Sequence, residues 1–103
     1  MKVADHRLGF IGFGHMAQIL FERLDAARLI PRSHVQFVQR DRDRMKRNEE
    51  KYGITATSLK HLIESSDILL LCVRPMQVGA LAAEMAHLGA GKKKIFSIAA
   101  GLT

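Results

Sequence analysis

Three small residues at fixed spacing carry the clearest chemical signal in the sequence. Gly12, Gly14 and Ala17 form a G-x-G-x-x-A pattern directly after the mostly apolar run at positions 8–11. In this pattern the first glycine permits a tight turn, and the second lets the backbone approach a pyrophosphate. The third small residue lets the next helix pack close to the strand. The pattern predicts a dinucleotide site, although taken alone it is as typical of an ordinary glycine turn.

The residues that follow the second apolar segment indicate which dinucleotide would bind. NAD-specific domains place an acidic residue at the end of the second strand, whereas NADP-binding domains place an arginine nearby for the 2′-phosphate. Here Gln39 ends the segment and Arg40 follows, with Arg44 one helical turn further on. Because a guanidinium group matches phosphate geometry, the sequence favours NADP(H). Asp41 would repel a 2′-phosphate unless its carboxylate caps the next helix.

The composition is that of one small domain over residues 1–103. Of the 103 residues, 48% are hydrophobic, and no apolar run reaches the roughly 18 residues of a membrane helix. The charged N-terminus lacks the apolar block of a signal peptide. A single cysteine excludes an internal disulfide and favours a reducing compartment, which predicts the cytoplasm. The scattered histidines lack metal-ligand spacing, so no metal site is expected.

The charge balance suits a phosphate-rich partner. The formal net charge is +6, and basic residues concentrate at positions 40–47 and 92–94. Such a balance fits a phosphorylated cofactor or a nucleic acid. The phenylalanines are spread along the chain without an aromatic pair on one strand, which disfavours a base-stacking platform and hence nucleic acid.

Strand and helix patterns alternate along the whole chain. The predicted strands lie at 7–12, 35–39, 54–57, 68–73 and 94–100. The predicted helices span 15–28 and 75–88, with one from the N-cap Asp41 to Tyr52 and a short one capped by Ser58. Gly53 is expected to end a helix in the left-handed region. This alternation predicts an α/β fold, a Rossmann-like doubly wound parallel sheet of about five strands.

Two expectations concern which residues face the core. The most apolar run, 68–73, is expected to form the central strand and to bury Cys72 as an inert thiol. Spacings of three and four predict an inward face on the first helix. The residues of that face are Met16, Ile19, Leu20, Leu24 and Ala27.

Four segments in register make the chain similar to the N-terminal domain of pyrroline-5-carboxylate reductases. They are Gly9–Ala17, Gln39–Arg40, Val73–Arg74–Pro75 and Ser97–Thr103. The last segment, at its distance from Val73–Arg74–Pro75, is the most specific of the four. The resemblance implies hydride transfer from NAD(P)H to the imine carbon of 1-pyrroline-5-carboxylate, giving L-proline in proline biosynthesis.

The resemblance also implies a set of cofactor contacts. The glycine turn would wrap the pyrophosphate and the adjoining ribose. Gln39 and Arg40 would lie at the adenosine end, with Arg40 on the 2′-phosphate. Two further segments would lie at the nicotinamide end. The turn residues are Gly12, Phe13, Gly14, His15 and Met16; those near the nicotinamide are Val73, Arg74, Pro75, Ala99, Ala100 and Gly101. No catalytic residue matches a family motif. The family usually has asparagine at His15, lysine at Arg74, and serine or asparagine at Gln39.

The resemblance implies that a helical dimerisation domain, which supplies most of the substrate pocket in the family, would follow the nucleotide-binding domain. We therefore expect the 103-residue chain to bind cofactor but to reduce the imine slowly or not at all. The fifth strand would be a bare sheet edge, through which the chain could self-associate. Two alternatives stay open: another NADP-dependent reductase, such as a deazaflavin-dependent oxidoreductase, or a non-catalytic module that binds a dinucleotide or nucleic acid.

Overall fold

A five-stranded parallel sheet organises the chain in a computed structural model. The structure describes residues 6–72, the helical positions 83 and 87, and the backbone of 94–97. The strands are β1 (Leu8–Ile11), β2 (Val35–Val38), β3 (Thr55–Ala56), β4 (Ile68–Leu71) and β5 (Lys94–Ser97). The helices are α1 (His15–Ala26), α2 (Arg42–Tyr52) and α3 (Leu59–Ser65), with a 3-10 turn at Arg32–His34. The predicted fold class is confirmed.

The first strand, β1, occupies the centre of the sheet. The strand order is β3-β2-β1-β4-β5, with β1 paired in parallel to β2 on one side and to β4 on the other. All four residues of β1 are buried. The prediction that 68–73 forms the central strand was therefore wrong, because this run forms β4, the neighbour of the central strand. A continuous apolar run indicates burial on both faces of the sheet. Strand β4 is buried in this way because it lies between β1 and β5.

Two hydrophobic clusters cover the two faces of the sheet. Because successive strand residues point to opposite faces, Leu8 and Phe10 belong to one cluster and Ile11 to the other. Helices α1 and α2 pack on the first face, where the buried cluster is Leu8, Phe10, Phe13, Ala17, Phe21, Ile30, Val35, Phe37, Tyr52, Ile54 and Leu70. Helix α3 packs on the second, where the cluster is Ile11, Leu62, Ile63, Leu69 and Leu71.

Helix α1 is rotated relative to the sequence-based prediction. Its buried residues are Ala17 and Phe21, with Leu20 and Leu24 half-buried beside them. Met16 and Ile19 are 38% and 37% exposed, and Ala27 is also exposed. The prediction for Met16, Ile19 and Ala27 was therefore wrong. The glycine turn requires α1 to approach β1 through a small side chain, so Ala17 faces the sheet and Phe21 follows one turn later.

The ends of helices α2 and α3 follow their local sequence signals. The Asp41 carboxylate accepts hydrogen bonds from the amides of Asp43 and Arg44, at 3.0 and 3.2 Å. Gly53 ends α2 with φ of 66°, a conformation that favours glycine. Ser58 caps α3 by accepting from the His61 amide. These three predictions are confirmed, and Asp41 and Gly53 fix where α2 begins and ends.

The predictions near the C-terminus are tested only in part. The fifth strand is present as Lys94–Ser97, at the sheet edge opposite β3. The helix predicted for 75–88 lies outside the described residues except at positions 83 and 87, which are helical. In the part of the chain that is described, no helix combines the length and apolar character that crossing a bilayer requires.

A close contact between β1 and α3 depends on Gly9. A Cβ atom at this position would lie 2.5 Å from Ser66 Oγ and 2.8 Å from Leu62 Cγ. Leu62 and Ser66 are both buried, and the Ser66 hydroxyl has no hydrogen-bond partner among the described residues. The absence of a side chain at Gly9 thus lets α3 pack directly against the central strand.

We expect Gly9→Ala to lower the free energy of unfolding by about 1–3 kcal/mol, because the added methyl group overpacks this contact. Ser66→Ala is the matched control. Since the Ser66 hydroxyl lacks a partner, its loss is expected to change the free energy of unfolding by less than about 1 kcal/mol. Urea denaturation of the three chains measures both effects. A Gly9→Ala chain as stable as the parent would contradict the close packing of α3 on β1.

Candidate dinucleotide-binding site

The glycine turn leaves the carboxyl end of the central strand. Gly12 has φ of 86°, a backbone conformation that glycine adopts without steric cost. Its amide donates to the Val38 carbonyl at 2.8 Å, and the Cys72 amide donates to the Ile11 carbonyl at 2.9 Å. Hydrogen bonds to both neighbouring strands therefore hold the point at which β1 ends and the turn begins.

The second glycine, Gly14, is not required by the packing of the described chain. It is the N-cap of α1 with φ of −82° and ψ of −164°, values open to any residue. A Cβ atom built on it meets no atom within 4 Å, and no side chain caps the helix. The space above Gly14 and the uncapped amides of the first helical turn fit a diphosphate group.

Phe13, between the two glycines, anchors the turn in the core. Its ring is 1% exposed. Ring centroids of Phe10, Phe37 and Tyr52 lie 5.3, 4.9 and 5.4 Å from the Phe13 centroid, and that of Phe21 lies at 6.3 Å. The cofactor contact expected of Phe13 is therefore limited to its main chain.

A cleft of about 380 Å³ opens beside the turn, between α1 and α2. Its lining residues come from the turn, the first two turns of α1, the end of β2 and one side of α2. They are Phe13, Gly14, His15, Gln18, Gln39, Arg44, Arg47, Asn48 and Lys51.

The cleft is strongly cationic. Arg44, Arg47 and Lys51 lie along one side of α2, and no carboxylate is among the described residues that line the cleft. The three cations are exposed. Arg44 Nε lies 3.9 Å from Asp41 Oδ2, but the Asp41 carboxylate also accepts the capping hydrogen bonds of α2. The electrostatics of the cleft therefore favour an anionic ligand.

Three amide side chains form the polar floor of the cleft. Gln18 and Gln39 both donate through Nε2 to the Phe13 carbonyl, at 3.2 and 3.4 Å. The buried Asn48 donates to Gln39 Oε1 at 2.8 Å. The hydroxyl of Tyr52 lies 3.3 Å from Gln18 Oε1 and 2.9 Å from Glu22 Oε1. Burial, together with the hydrogen bond to Glu22, raises the pKa of Tyr52.

The structure brings some of the expected cofactor residues together and separates others. His15 and Gln39 line the cleft beside Gly14, whereas Met16 is exposed on α1 outside the lining. Arg40 is exposed and does not line the cleft either. The residues expected near the nicotinamide, Val73, Arg74, Pro75, Ala99, Ala100 and Gly101, lie outside the described residues.

Sequence analysis missed Gln18, Asn48 and Lys51 as residues of the site, and it noted Arg47 only as part of a basic cluster. A spacing signal existed for all four. Gln18 lies one helical turn after Gly14, while Arg47, Asn48 and Lys51 follow Arg44 at intervals of three, four and seven. Arg44, Arg47, Asn48 and Lys51 therefore share one face of α2. What the sequence lacked was the knowledge that this face meets the start of α1.

The only cysteine of the chain lies at the end of β4, near this edge of the sheet. Cys72 is half-buried rather than fully buried, and it follows β4 instead of lying inside it. Burial raises the pKa of the Cys72 thiol to about 12. In the described part of the chain, no group of three or more His, Cys, Asp or Glu side chains is arranged to hold a metal ion.

A family model described as NADP oxidoreductase, coenzyme F420-dependent, matches residues 7–101. The chain belongs to this family. It is therefore an NAD(P)-binding oxidoreductase domain, and the glycine turn with open space at Gly14 is the feature with which such a domain approaches a diphosphate. No protein of curated function matches the sequence significantly.

Solved structures place the same fold in several dehydrogenases and reductases. A pyrroline-5-carboxylate reductase from Coxiella burnetii aligns with a TM-score of 0.78 at 24% identity, over 89% of this chain and 34% of its own. A Plasmodium falciparum pyrroline carboxylate reductase with NADP bound aligns at 0.74 and 20% identity, over 92% and 34%. The predicted resemblance to this group is confirmed.

Other chemistries share the fold as well. A semialdehyde dehydrogenase NAD-binding protein from Cupriavidus necator, in complex with calcium and NAD, aligns with a TM-score of 0.69 at 16% identity, over 89% of this chain and 32% of its own. The chain thus spans about one third of the length of each of these three structures. At these identities the likeness establishes the fold and leaves the reaction to be argued separately.

The Gly14→Ala variant is expected to weaken ligand binding while leaving the stability of the fold nearly unchanged. Because a Cβ at this position meets no protein atom within 4 Å, we expect the free energy of unfolding to fall by no more than about 1 kcal/mol, the N-cap preference for glycine over alanine. The methyl group would occupy the space of the diphosphate, so affinity for NADPH and NADH should fall at least about tenfold. Fluorescence titration and urea denaturation measure the two quantities. Unchanged affinity would show that the diphosphate lies elsewhere.

Cys72 should react slowly in the folded chain. With its pKa raised to about 12, little thiolate is present at pH 8, so alkylation by iodoacetamide should be much slower in the folded than in the urea-unfolded chain. The unfolded thiol ionises near pH 9, so the free energy of unfolding should decline above that pH and continue to decline toward pH 12. A Cys72→Ala chain should lack this part of the decline. Equal alkylation rates in the two states would contradict the burial of the thiol.

Proposed function

We propose that the chain is the NADP(H)-binding domain of a reductase similar to pyrroline-5-carboxylate reductase. The observation that carries the proposal is the glycine turn at the centre of the sheet, with open space at Gly14 and a cationic cleft beside it. Family membership and the two reductases among the similar structures support it.

The proposed reaction is reduction of the imine bond of 1-pyrroline-5-carboxylate to give L-proline, a step of proline biosynthesis. When bound, the cofactor supplies the hydride that the imine carbon receives, and the nitrogen takes a proton. The described residues bind and orient the cofactor: the amides of the first turn of α1 hold the diphosphate, and the cationic side chains of the cleft hold the adenosine end.

Selection of NADPH over NADH is assigned in this proposal to arginine residues after β2. A 2′-phosphate adds about two negative charges that a guanidinium group can meet with paired hydrogen bonds. Arg40 directly follows the Gln39 that lines the cleft, and Arg44 lines the cleft itself. The Asp41 carboxylate caps α2, which is the condition under which it was expected not to repel a 2′-phosphate.

We expect Arg40→Ala and Arg44→Ala each to weaken NADPH binding about tenfold, the loss of roughly one charge-assisted hydrogen bond. NADH affinity should change less than about twofold, because NADH carries no 2′-phosphate. Arg42→Ala is the control for Arg44→Ala, since Arg42 is an exposed arginine of the same helix outside the cleft lining. Titrations at constant ionic strength give the ratio of the two dissociation constants. If this ratio stays at the parent value in both variants, these arginines do not select the cofactor.

A second candidate is a reductase that exchanges hydride between NADP(H) and a deazaflavin. The description of the matching family favours it. Incubation of the chain with NADPH and either 1-pyrroline-5-carboxylate or oxidised coenzyme F420 discriminates the two, with proline formation and F420 reduction as readouts. Cofactor binding without either product is the result expected both of a nucleotide-binding domain tested alone and of the third class, a non-catalytic dinucleotide-binding module, so only product formation decides between the candidates.

The remaining parts of the proposal concern partners and location. The partner is a small molecule rather than a nucleic acid or a membrane, and the location is the cytoplasm, as the lone cysteine suggests. Self-association through the edge strand β5 is also proposed, because a parallel strand at an edge carries hydrogen-bonding groups open to a second copy.

A further inference from the structure

The Phe13 carbonyl receives two side-chain amides from different elements. Gln18 of α1 donates to this oxygen at 3.2 Å, and Gln39, at the end of β2, donates to it at 3.4 Å. These side chains are half-buried and line the cleft. A carbonyl is only an acceptor, so both amides must present their nitrogen to it.

Helix α2 supports the amide of Gln39 from behind. With the nitrogens committed to Phe13, the oxygens of Gln18 and Gln39 face away from it. Asn48, which is 7% exposed, donates to the oxygen of Gln39 at 2.8 Å, so a buried position of α2 orients this amide. The buried Tyr52 hydroxyl lies 3.3 Å from the oxygen of Gln18, but its single proton goes to the nearer Glu22 Oε1 at 2.9 Å.

This arrangement fixes the peptide group between Phe13 and Gly14. The described peptide bonds are all trans, so the carbonyl of Phe13 and the amide N–H of Gly14 point in opposite directions. The Gly14 N–H makes no hydrogen bond among the described residues. Rotation of this peptide would exchange the two groups and turn a carbonyl oxygen toward the space that a diphosphate would occupy, where it would repel the anion.

We propose that Gln18 and Gln39 are positioning residues that hold the Phe13–Gly14 peptide in the orientation required for diphosphate binding. The inference rests on the proposed dinucleotide function. The two glutamines act through the turn and not through the adenosine phosphate, so they govern affinity for NADPH and NADH alike. Arg40 and Arg44 act on the 2′-phosphate alone, and this difference separates the two proposals experimentally.

The test uses Gln18→Met, Gln39→Met and the double variant, because methionine keeps the length of glutamine and lacks the donor. Gln36→Met is the matched control. Gln36 is also half-buried, but its Oε1 lies 2.8 Å from Ser65 Oγ, and the described hydrogen bonds to the Phe13 carbonyl come from Gln18 and Gln39. Dissociation constants are measured for NADPH, NADH and 2′-AMP, the last of which carries the 2′-phosphate without a diphosphate.

The double variant should lose about tenfold in affinity for NADPH and for NADH, the contribution of two neutral hydrogen bonds. The NADPH-to-NADH ratio and the affinity for 2′-AMP should stay unchanged, and Gln36→Met should bind like the parent. Parent-like dinucleotide binding by the double variant would overturn the proposal. A loss confined to NADPH, or one matched by Gln36→Met, would also overturn it.

A second measurement does not depend on any ligand. The amide resonance of Gly14 in a ¹H–¹⁵N NMR spectrum reports the orientation of its peptide group. It should shift or broaden in the double variant and stay in place in Gln36→Met. Should the parent bind no dinucleotide, the proposed function fails while this resonance still decides whether the glutamines hold the turn. An unmoved Gly14 resonance in the double variant overturns the positioning role.

Discussion

The ligand-facing turn keeps its shape because the residue between its two glycines belongs to the hydrophobic core. The ring of Phe13 is packed among four other aromatic rings, and removing such a buried ring costs about 3–5 kcal/mol in other proteins. The turn cannot leave its position without exposing this ring. Gly14 meets no such demand from the core and leaves open space for the ligand, while Gly12 supplies the positive φ of the turn.

The features that could be predicted from the sequence are those with local causes. The carboxylate of Asp41, the hydroxyl of Ser58 and the left-handed Gly53 each act on amides or dihedral angles within a few residues. Their types alone therefore indicate where helices begin and end. The glycine pattern is equally local. The alternation of strands and helices predicted the parallel sheet that carries it. The position of β1 at the centre was not predicted, because the more apolar run 68–73 was expected there.

The features that could not be predicted depend on contacts between distant segments. The inward face of α1 was misjudged because Met16 and Ile19 are as apolar as Phe21, and only the approach to β1 through Ala17 decides between them. The lining of the cleft likewise requires knowing that one face of α2 meets the start of α1. For this reason Arg40 could be named as a candidate from the sequence. Asn48, which is buried and donates to Gln39 in the cleft, could not.

The row of positive charges on α2 has a consequence for the stability of the chain without its ligand. Arg44, Arg47 and Lys51 follow one another at intervals of three and four, a spacing at which like charges on a helix repel. Helix α2 is therefore held in place by its caps and its buried side against an internal repulsion. A bound polyanion neutralises that repulsion, so ligand binding should make α2 more rigid. Added salt screens the same charges, so it should stabilise α2 in the ligand-free chain and weaken ligand binding.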